Sequence, residues 1–149
     1  MHHIITPESI VYQRPVQYYE TDRMQIVHHS NYIRWMEEIR VAFMAQKGVP
    51  YDQMEHNGIL MPVLGVTCSY HIPFQFGETF QATCKITEYN GVRLALSYEI
   101  YKPGGISLLR DRNFSALLHQ QRPQTTAAAP SESRVAPAVL ISAGILIGL

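Results

Sequence analysis

The spacing of apolar residues predicts one long helix in the first third of the chain. Between Asn31 and Lys47, apolar side chains recur in steps of four, three and four residues, which is the period of an amphipathic helix. The residues on this stripe are Tyr32, Met36, Ile39 and Phe43. We expect Trp35 to pack beside them. Charged residues fill the rest of the helical wheel, and we expect Glu37 and Arg40, one turn apart, to pair on the surface.

Residues that typically cap helices lie at both ends of this segment. Ser30 or Asn31 can cap the start, because their short polar side chains accept bonds from first-turn amides. Gly48, followed by Pro50, ends the helix. A polar connection follows, and the sequence predicts a short second helix at Tyr51–His56.

A period of two replaces the helical period further along the chain. Strands are predicted at Met61–Phe74, Glu78–Tyr89 and Val92–Tyr101, and an earlier run at 10–19 is rich in β-formers. The dipeptide Asn90-Gly91 marks a tight hairpin between the last two. The last two of these strands alternate apolar and polar residues clearly, so one face of an antiparallel sheet must be covered. The predicted class is α+β, with the sheet wrapped around the long helix.

The pattern weakens after the turn at 102–105. Residues 106–120 contain apolar side chains without a steady period, and we interpret them as a degenerate last strand of the domain formed by residues 1–105. Residues 121–149 form a low-complexity and then apolar tail that we expect to be disordered. Its uncharged end is shorter than the roughly 20 residues of a spanning helix, so no membrane anchor is expected.

Composition excludes several classes of function. The chain has 149 residues with 12 basic and 12 acidic side chains, so its net charge is zero and a nucleic-acid partner is not expected. Cys68 and Cys84 are too few and too far apart for a disulfide framework or a zinc site. We interpret them as reduced, buried strand residues. With no secretory signal at the N-terminus, they favour a cytoplasmic location.

The candidate chemistry lies between the first strand and the long helix. Asp22 stands in this connection, and a carboxylate there can act as a nucleophile toward an acyl group or as a base for water. The following helix N-terminus carries amides and a positive dipole end that can polarise a carbonyl oxygen. The alternative is that Asp22 is a turn or capping residue, which is what most such aspartates are.

Other titratable residues flank Asp22. His28 and His29 adjoin the helix start, where a histidine can bond the carboxylate or relay a proton, or can simply lie on the surface. Adjacent histidines point their rings apart and no third ligand has a diagnostic spacing, so no metal site is expected. Tyr18 can anchor Asp22 through its hydroxyl, whereas we expect Tyr19 to be a core residue, like Tyr32.

These residues resemble a family motif. The run from Tyr18 to Asp22, the segment from Ile26 to Tyr32, and Trp35, Glu37 and Arg40 after it are similar to the signature of the hotdog-fold acyl-CoA thioesterases of the 4-hydroxybenzoyl-CoA thioesterase and YbgC-like group. The resemblance extends over about residues 10–105 and includes the Asn90-Gly91 hairpin.

The resemblance implies a function and an assembly. Asp22 would be the catalytic aspartate, with His29 and Tyr18 orienting it or the substrate. The substrate would be an acyl-CoA or an acyl carrier protein thioester, and no cofactor would be needed beyond the CoA of the substrate. The protein would be a homodimer or homotetramer with sites at the subunit interface. Oxyanion donors would come from the partner's backbone near Gly65, Val66 or Thr67.

The chain departs from the family pattern at three places. Gln25 stands where the motif usually has Gly. The basic cluster that holds nucleotide phosphates in hydroxybenzoyl-CoA enzymes is absent, and Arg93 or Lys102 would serve instead. The last strand of the family is not recognisable after Gly105, and one explanation is a shift of the reading frame near residue 106. Reading the coding DNA in the other frames tests that explanation.

Two rival functions remain open at this level. The first is an inactive hotdog remnant that binds acyl groups or another subunit because its last strand is lost. Thermal unfolding and oligomer size distinguish it from an intact enzyme. The second is a hydratase on the same scaffold, whose usual helix signature is missing here and which an enoyl-CoA assay identifies.

Overall fold

An antiparallel sheet packed on a long helix forms the fold. The computed structural model describes residues 10–103 and the strand at 114–119, and in that part of the chain the sheet has five strands. They are β1 (Tyr12–Pro15), β2 (Val63–Thr67), β3 (Thr79–Tyr89), β4 (Arg93–Tyr101) and β5 (Phe114–His119). The helices are α1 (Ser30–Gln46) and α2 (Tyr51–His56). The predicted α+β class is confirmed.

The strand order across the sheet is β1-β3-β4-β5-β2, and every pairing is antiparallel. The hairpin between β3 and β4 is confirmed at Asn90-Gly91. Gly91 has a φ of 89°, and the Asn90 carboxamide oxygen accepts bonds from the backbone amides of Val92 and Arg93 at 3.0 and 2.7 Å. Of these two strands, β4 is the middle strand of the five-stranded sheet.

The interior position next to β4 is filled by β5. Its backbone pairs with β4 on one side, where Ala116 faces Leu96, and with β2 on the other, where Ala116 faces Val66. A regular strand therefore lies within the weakly patterned stretch 106–120, and it supplies backbone partners to both neighbours. The predicted disordered tail at 121–149 lies outside the described residues.

The core lies between α1 and the inward face of the sheet. The Trp35 ring stacks on Phe80 of β3 with centroids 4.0 Å apart and an interplanar angle of 12°. The buried apolar residues around this pair are Met36, Ile39, Phe43, Met44, Phe74, Ala82, Leu94, Leu96, Tyr98 and Ile100. Each fully buried large side chain stabilises the fold by about 1.5–3 kcal/mol. The predicted apolar stripe of the helix and the alternation of β3 and β4 are confirmed.

Two predicted strands are too long. The strand expected at 10–19 ends at Pro15, because proline has no N–H to donate and the chain then makes a 3-10 turn at Tyr18–Glu20. Tyr19 is consequently 76% exposed, so its prediction as a core residue was wrong. The strand expected at Met61–Phe74 ends at Thr67, after which the chain runs irregularly toward the start of α1.

Two expectations for α1 are also corrected. Its N-cap position is His29, and neither Ser30 nor Asn31 caps it by a side-chain bond. Arg40 is buried at 7% exposure and donates to the hydroxyls of Tyr51 and Tyr98 at 2.7 and 3.2 Å. It therefore forms no surface pair with Glu37. The predicted helix end is confirmed, since Gly48 adopts a φ of 80° directly after the helix.

Candidate active site

Asp22 lies in a tight hairpin between the 3-10 turn and α1. Thr21 pairs with Val27, and the Asp22 amide donates to the Ile26 carbonyl at 3.0 Å. The loop is closed by the Gln25 amide, which donates to the Asp22 carbonyl at 2.9 Å. Gln25 has a φ of 63°, in the left-handed region where side chains other than glycine are strained. The hairpin fixes the backbone of Asp22.

The Asp22 carboxylate is half-buried, and its Oδ1 accepts the Met24 amide at 2.8 Å. This bond is the Asx turn that the alternative interpretation of Asp22 expected. A carboxylate accepts at two oxygens, so the bond orients the group and leaves acceptor capacity for water or a substrate. The geometry is compatible with both the structural and the chemical role.

His29 lies at the base of the hairpin, where α1 begins. Its ring centroid is 4.1 Å from that of His28 and 6.0 Å from that of Tyr70. The expectation that the two adjacent histidine rings point apart was therefore wrong. The His28 Nδ1 lies 2.8 Å from the Ser30 hydroxyl. The neighbours of the exposed His29 ring are thus aromatic, and the Asp22 carboxylate is oriented by the Met24 amide instead.

Tyr70 contributes to the site without having been predicted there. Its hydroxyl donates to the His29 carbonyl at 3.1 Å, and its ring lies edge-on to Tyr32 at 5.3 Å. Partial burial and a hydrogen bond with Cys68 raise the pKa of Tyr70 to about 12, so its hydroxyl is a neutral donor at physiological pH. Sequence pattern placed Tyr70 inside a strand, where a hydroxyl reaching a helix cap is not foreseen.

The first amides of α1 are already bonded within the chain. The Ser30 amide donates to His28 Nδ1 at 3.3 Å, and the amides of Asn31 and Tyr32 donate to the carbonyls of His28 and His29 at 2.9 and 3.3 Å. These bonds argue against the expectation that the same amides polarise a substrate carbonyl. With these amides bonded, the feature of the helix N-terminus that remains available to a ligand is its positive dipole end.

Tyr18 does not anchor Asp22. Its ring packs edge-on against Phe76 with centroids 5.5 Å apart, and the residue is 76% exposed. The predicted hydroxyl bond is absent because the 3-10 turn directs the chain away from the strand that the sequence pattern indicated. Tyr18 and Phe76 instead form an exposed aromatic pair on the same connection as Asp22.

The two predicted phosphate-binding residues lie at opposite ends of β4. Arg93 is exposed next to the hairpin turn, whereas Lys102 follows the strand's other end, about 30 Å away at about 3.3 Å per residue. Lys102 donates to Glu78 at 2.8 Å, and its ammonium lies 5.3 Å from the Phe74 ring centroid. Within one protomer these two cations do not form a single anion site.

A buried carboxylate next to the hairpin was missed. Glu20 is 3% exposed and accepts bonds from Arg14, the Gln17 amide and the Trp35 indole N–H. Burial opposes its ionisation, but the hydrogen bonds from Arg14, Gln17 and Trp35 outweigh that effect and lower the pKa of Glu20. The available sequence signal was a capping box. Gln17 precedes the helical turn, and the acidic Glu20 follows three residues later.

Within 10–103 and 114–119, no three side chains of the metal-binding types come together as a cation site. In the same part of the chain, no helix combines the length and the hydropathy that crossing a bilayer requires.

Comparison with known proteins identifies the family. A sequence model described as the thioesterase-like superfamily matches residues 16–132, well over half of the chain. The chain belongs to this superfamily. The resemblance to the hotdog thioesterases is thereby confirmed, and the matched region extends past Gly105, beyond the stretch over which the sequence motifs are recognisable.

Relatives of this thioesterase-like chain carry related names. It is 43% identical over 90 residues to the putative acyl-CoA thioesterase YneP of Bacillus subtilis (strain 168), covering 60% of this chain and 65% of YneP's length. It is 38% identical over 92 residues to a putative esterase of Aquifex aeolicus (strain VF5), covering 62% of this chain and 72% of that protein.

A solved structure shows the same fold. The DHNA-CoA thioesterase from Staphylococcus aureus superposes with a TM-score of 0.70 and 28% identity, covering 78% of this chain and 76% of that one. The hotdog fold expected for this superfamily member is therefore confirmed.

Proposed function

We propose that this protein is an acyl-CoA thioesterase that hydrolyses a thioester to a carboxylate and free CoA. The observation that carries the proposal is the Asp22 carboxylate, held by a tight hairpin at the start of the long helix of a thioesterase-like fold. The names of YneP and of the Staphylococcus aureus thioesterase support an acyl-CoA substrate. An acyl carrier protein thioester presents the same bond and is the alternative carrier.

Asp22 has two chemically balanced roles. As a general base it removes a proton from water, whose oxygen adds to the thioester carbonyl before the carbon–sulfur bond breaks and the CoA thiolate takes up a proton. As a nucleophile it forms a mixed anhydride and releases CoA, and water then cleaves the anhydride. A burst of CoA equal to the enzyme concentration favours the second route, whereas linear release shows only that no anhydride accumulates.

We propose that the active unit is a homodimer, alone or doubled to a homotetramer. β2 is an edge strand, and its residues Val63, Leu64 and Val66 are 45, 52 and 38% exposed. An edge strand also presents unpaired backbone N–H groups. The partner's β2, near Gly65 and Thr67, is then a source of oxyanion donors. This origin accords with the internal bonding of the first α1 amides.

The proposed reaction requires no metal or redox cofactor, because a carboxylate and water suffice for hydrolysis. Arg93 is the exposed candidate for the CoA phosphates, since Lys102 is engaged by Glu78. A cytoplasmic location fits a CoA-dependent enzyme with reduced thiols. Burial raises the pKa of the Cys84 thiol to about 12. The positive charge of Arg40 lowers this pKa but does not cancel the effect of burial.

The deciding experiment compares the parent chain with Asp22→Asn across a panel of acyl-CoA substrates. We expect the amide to lower kcat/KM by at least about 100-fold, because it neither accepts a proton nor attacks the carbonyl. Asp52→Asn is the matched control, since Asp52 is an exposed carboxylate in the first turn of α2. Full activity in Asp22→Asn, with an unchanged melting temperature, would overturn the role of Asp22.

The same assay addresses the two rivals. The inactive-remnant alternative supposed that the last strand is lost, whereas the pairing of β5 with β4 and β2 favours an intact sheet. A folded parent that hydrolyses none of the thioesters would favour the remnant nonetheless. Turnover of an enoyl-CoA without CoA release would favour the hydratase.

A further inference from the structure

We infer that Glu20 is a positioning residue for Asp22. It anchors the hairpin that carries Asp22 to both β1 and α1. The inference rests on the proposed catalytic role of Asp22. It concerns a residue that never needs to touch the substrate. Its carboxylate and its backbone carbonyl each hold a different part of the connection that carries Asp22.

Only donors surround the Glu20 carboxylate. Oε1 accepts Arg14 Nη2 at 2.6 Å and the Trp35 indole N–H at 2.8 Å. Oε2 accepts Arg14 Nη1 at 3.0 Å and the Gln17 amide at 2.9 Å. Arg14 belongs to β1 and Trp35 to α1, so the carboxylate connects the first strand to the helix. Because Glu20 is only 3% exposed, water does not compete for these hydrogen bonds.

The backbone of Glu20 is held from the other side. Its carbonyl oxygen accepts the His28 amide and the Asn31 side-chain N–H, both at 2.8 Å. The first bond closes the base of the hairpin, and the second comes from a buried residue in the first turn of α1. Asp22 is two residues further along the same chain. Its position relative to the helix therefore depends on these anchors.

Charge balance alone does not explain Glu20. Arg14 also forms a bidentate pair with Glu38, through Nε to Oε2 at 2.7 Å and Nη2 to Oε1 at 2.9 Å. The carboxylates of Glu20 and Glu38 together carry more negative charge than the single Arg14 guanidinium balances. What Glu20 adds is acceptors for the Trp35 indole in α1 and for the Gln17 amide at the start of the 3-10 turn, and neither of these bonds involves Arg14.

Glu20→Gln is the direct test. The side chain keeps its shape, but in either amide orientation its NH₂ group faces two donors. We expect kcat to fall by about tenfold or more with KM within about twofold, because Asp22 is displaced while substrate-binding surfaces are untouched. Amide hydrogen exchange at Asp22 and His28 should accelerate, with no change at Ile39 inside α1.

Two further variants separate positioning from stability. Glu38→Gln removes the other carboxylate on Arg14, and because Glu38 is one-third exposed and does not contact the hairpin, kcat and exchange at His28 should remain unchanged. Asn31→Ala removes the bond to the Glu20 carbonyl and should reproduce the kcat loss. It keeps the inference testable if Glu20→Gln does not fold.

The outcomes distinguish the inference from the proposed function. Activity that survives Asp22→Asn overturns the proposed function. Activity that collapses in Asp22→Asn but keeps its full kcat in both Glu20→Gln and Asn31→Ala overturns the inference alone. If the parent is inactive, hydrogen exchange decides. Faster exchange at Asp22 and His28 in Glu20→Gln, but not in Glu38→Gln, supports the anchoring, and equal exchange in both overturns it.

Discussion

At the scale of single residues, the hairpin that holds Asp22 places Gln25 in a backbone conformation that residues with a Cβ disfavour. Gln25 stands where the family motif usually has Gly, and its φ of 63° is the conformation for which glycine is suited. The left-handed conformation costs a residue with a Cβ about 1–2 kcal/mol. The positive φ of Gln25 is therefore expected to lower the stability of the fold.

Gln25→Gly should stabilise the protein. We expect the free energy of unfolding to rise by about 0.5–1 kcal/mol, since relief of strain exceeds the extra flexibility that glycine gives the unfolded chain. Urea unfolding measures the change. Gln25→Ala is the matched control, because alanine keeps the Cβ and should leave stability within about 0.5 kcal/mol of the parent. A less stable glycine variant would show that the Gln25 side chain contributes contacts worth more than the strain.

Sequence alone identified the candidate catalyst but not its support. Asp22 and His29 stand out because titratable groups are dense in one short connection and fit a family motif. Glu20 was not recognised, because its partners Arg14 and Trp35 are 6 and 15 residues away on different elements. A strand and a helix must first be assembled before that carboxylate acquires its donors.

At the scale of elements, local pattern predicted α1 well and its charged face poorly. The predicted helix Asn31–Lys47 and the observed helix Ser30–Gln46 differ by one residue at each end, because stripe and stop signals are local. Arg40 was assigned to the surface by its charge. Its hydroxyl partners come from α2 and β4, 11 and 58 residues away, so no local pattern reveals its burial.

Arg40→Ala should be strongly destabilising. The variant leaves the Tyr51 and Tyr98 hydroxyls without their donor and opens a cavity beneath α1, and we expect a loss of about 2–4 kcal/mol. Thermal or urea unfolding measures it. Arg40→Met fills most of the volume and should cost less than alanine. Arg34→Ala, at an exposed position of the same helix, should change stability by less than about 0.5 kcal/mol. Equal losses in Arg34→Ala and Arg40→Ala would contradict the buried role.

The strands show the limit of pattern in the other direction. β5 was expected only as a poor strand because its residues lack a steady alternation, yet its backbone pairs on both sides. A strand between two others gains hydrogen bonds along both edges, and this tertiary gain overrides weak local propensity. Conversely, the β-forming residues at Tyr18 and Tyr19 do not extend β1, because the chain turns toward α1 there.

At the scale of the whole molecule, the two edges of the sheet differ. β1 packs beside α1 through Arg14, whose guanidinium lies 5.8 and 5.2 Å from the ring centroids of Trp35 and Phe80. β2, at the other edge, is exposed along its whole length and rich in aliphatic side chains. A long exposed apolar edge is a template for pairing with another chain. The exposed β2 edge therefore supports the homodimer proposed above.

Leu64→Lys tests whether that partner is a second copy. Leu64 is 52% exposed as the second residue of β2, where the pairing with β5 is irregular, and a lysine there should disfavour edge pairing and shift the protein toward monomer in analytical ultracentrifugation. Val92→Lys is the matched control, since Val92 is 49% exposed on the β3–β4 turn and should leave the assembly unchanged.

If oxyanion donors come from the partner's β2, thioesterase activity should fall in parallel with the dimer fraction across a dilution series. A parent that is monomeric and fully active at the same concentrations would contradict both the dimer and the shared site, because one protomer would then hold every group that the reaction needs.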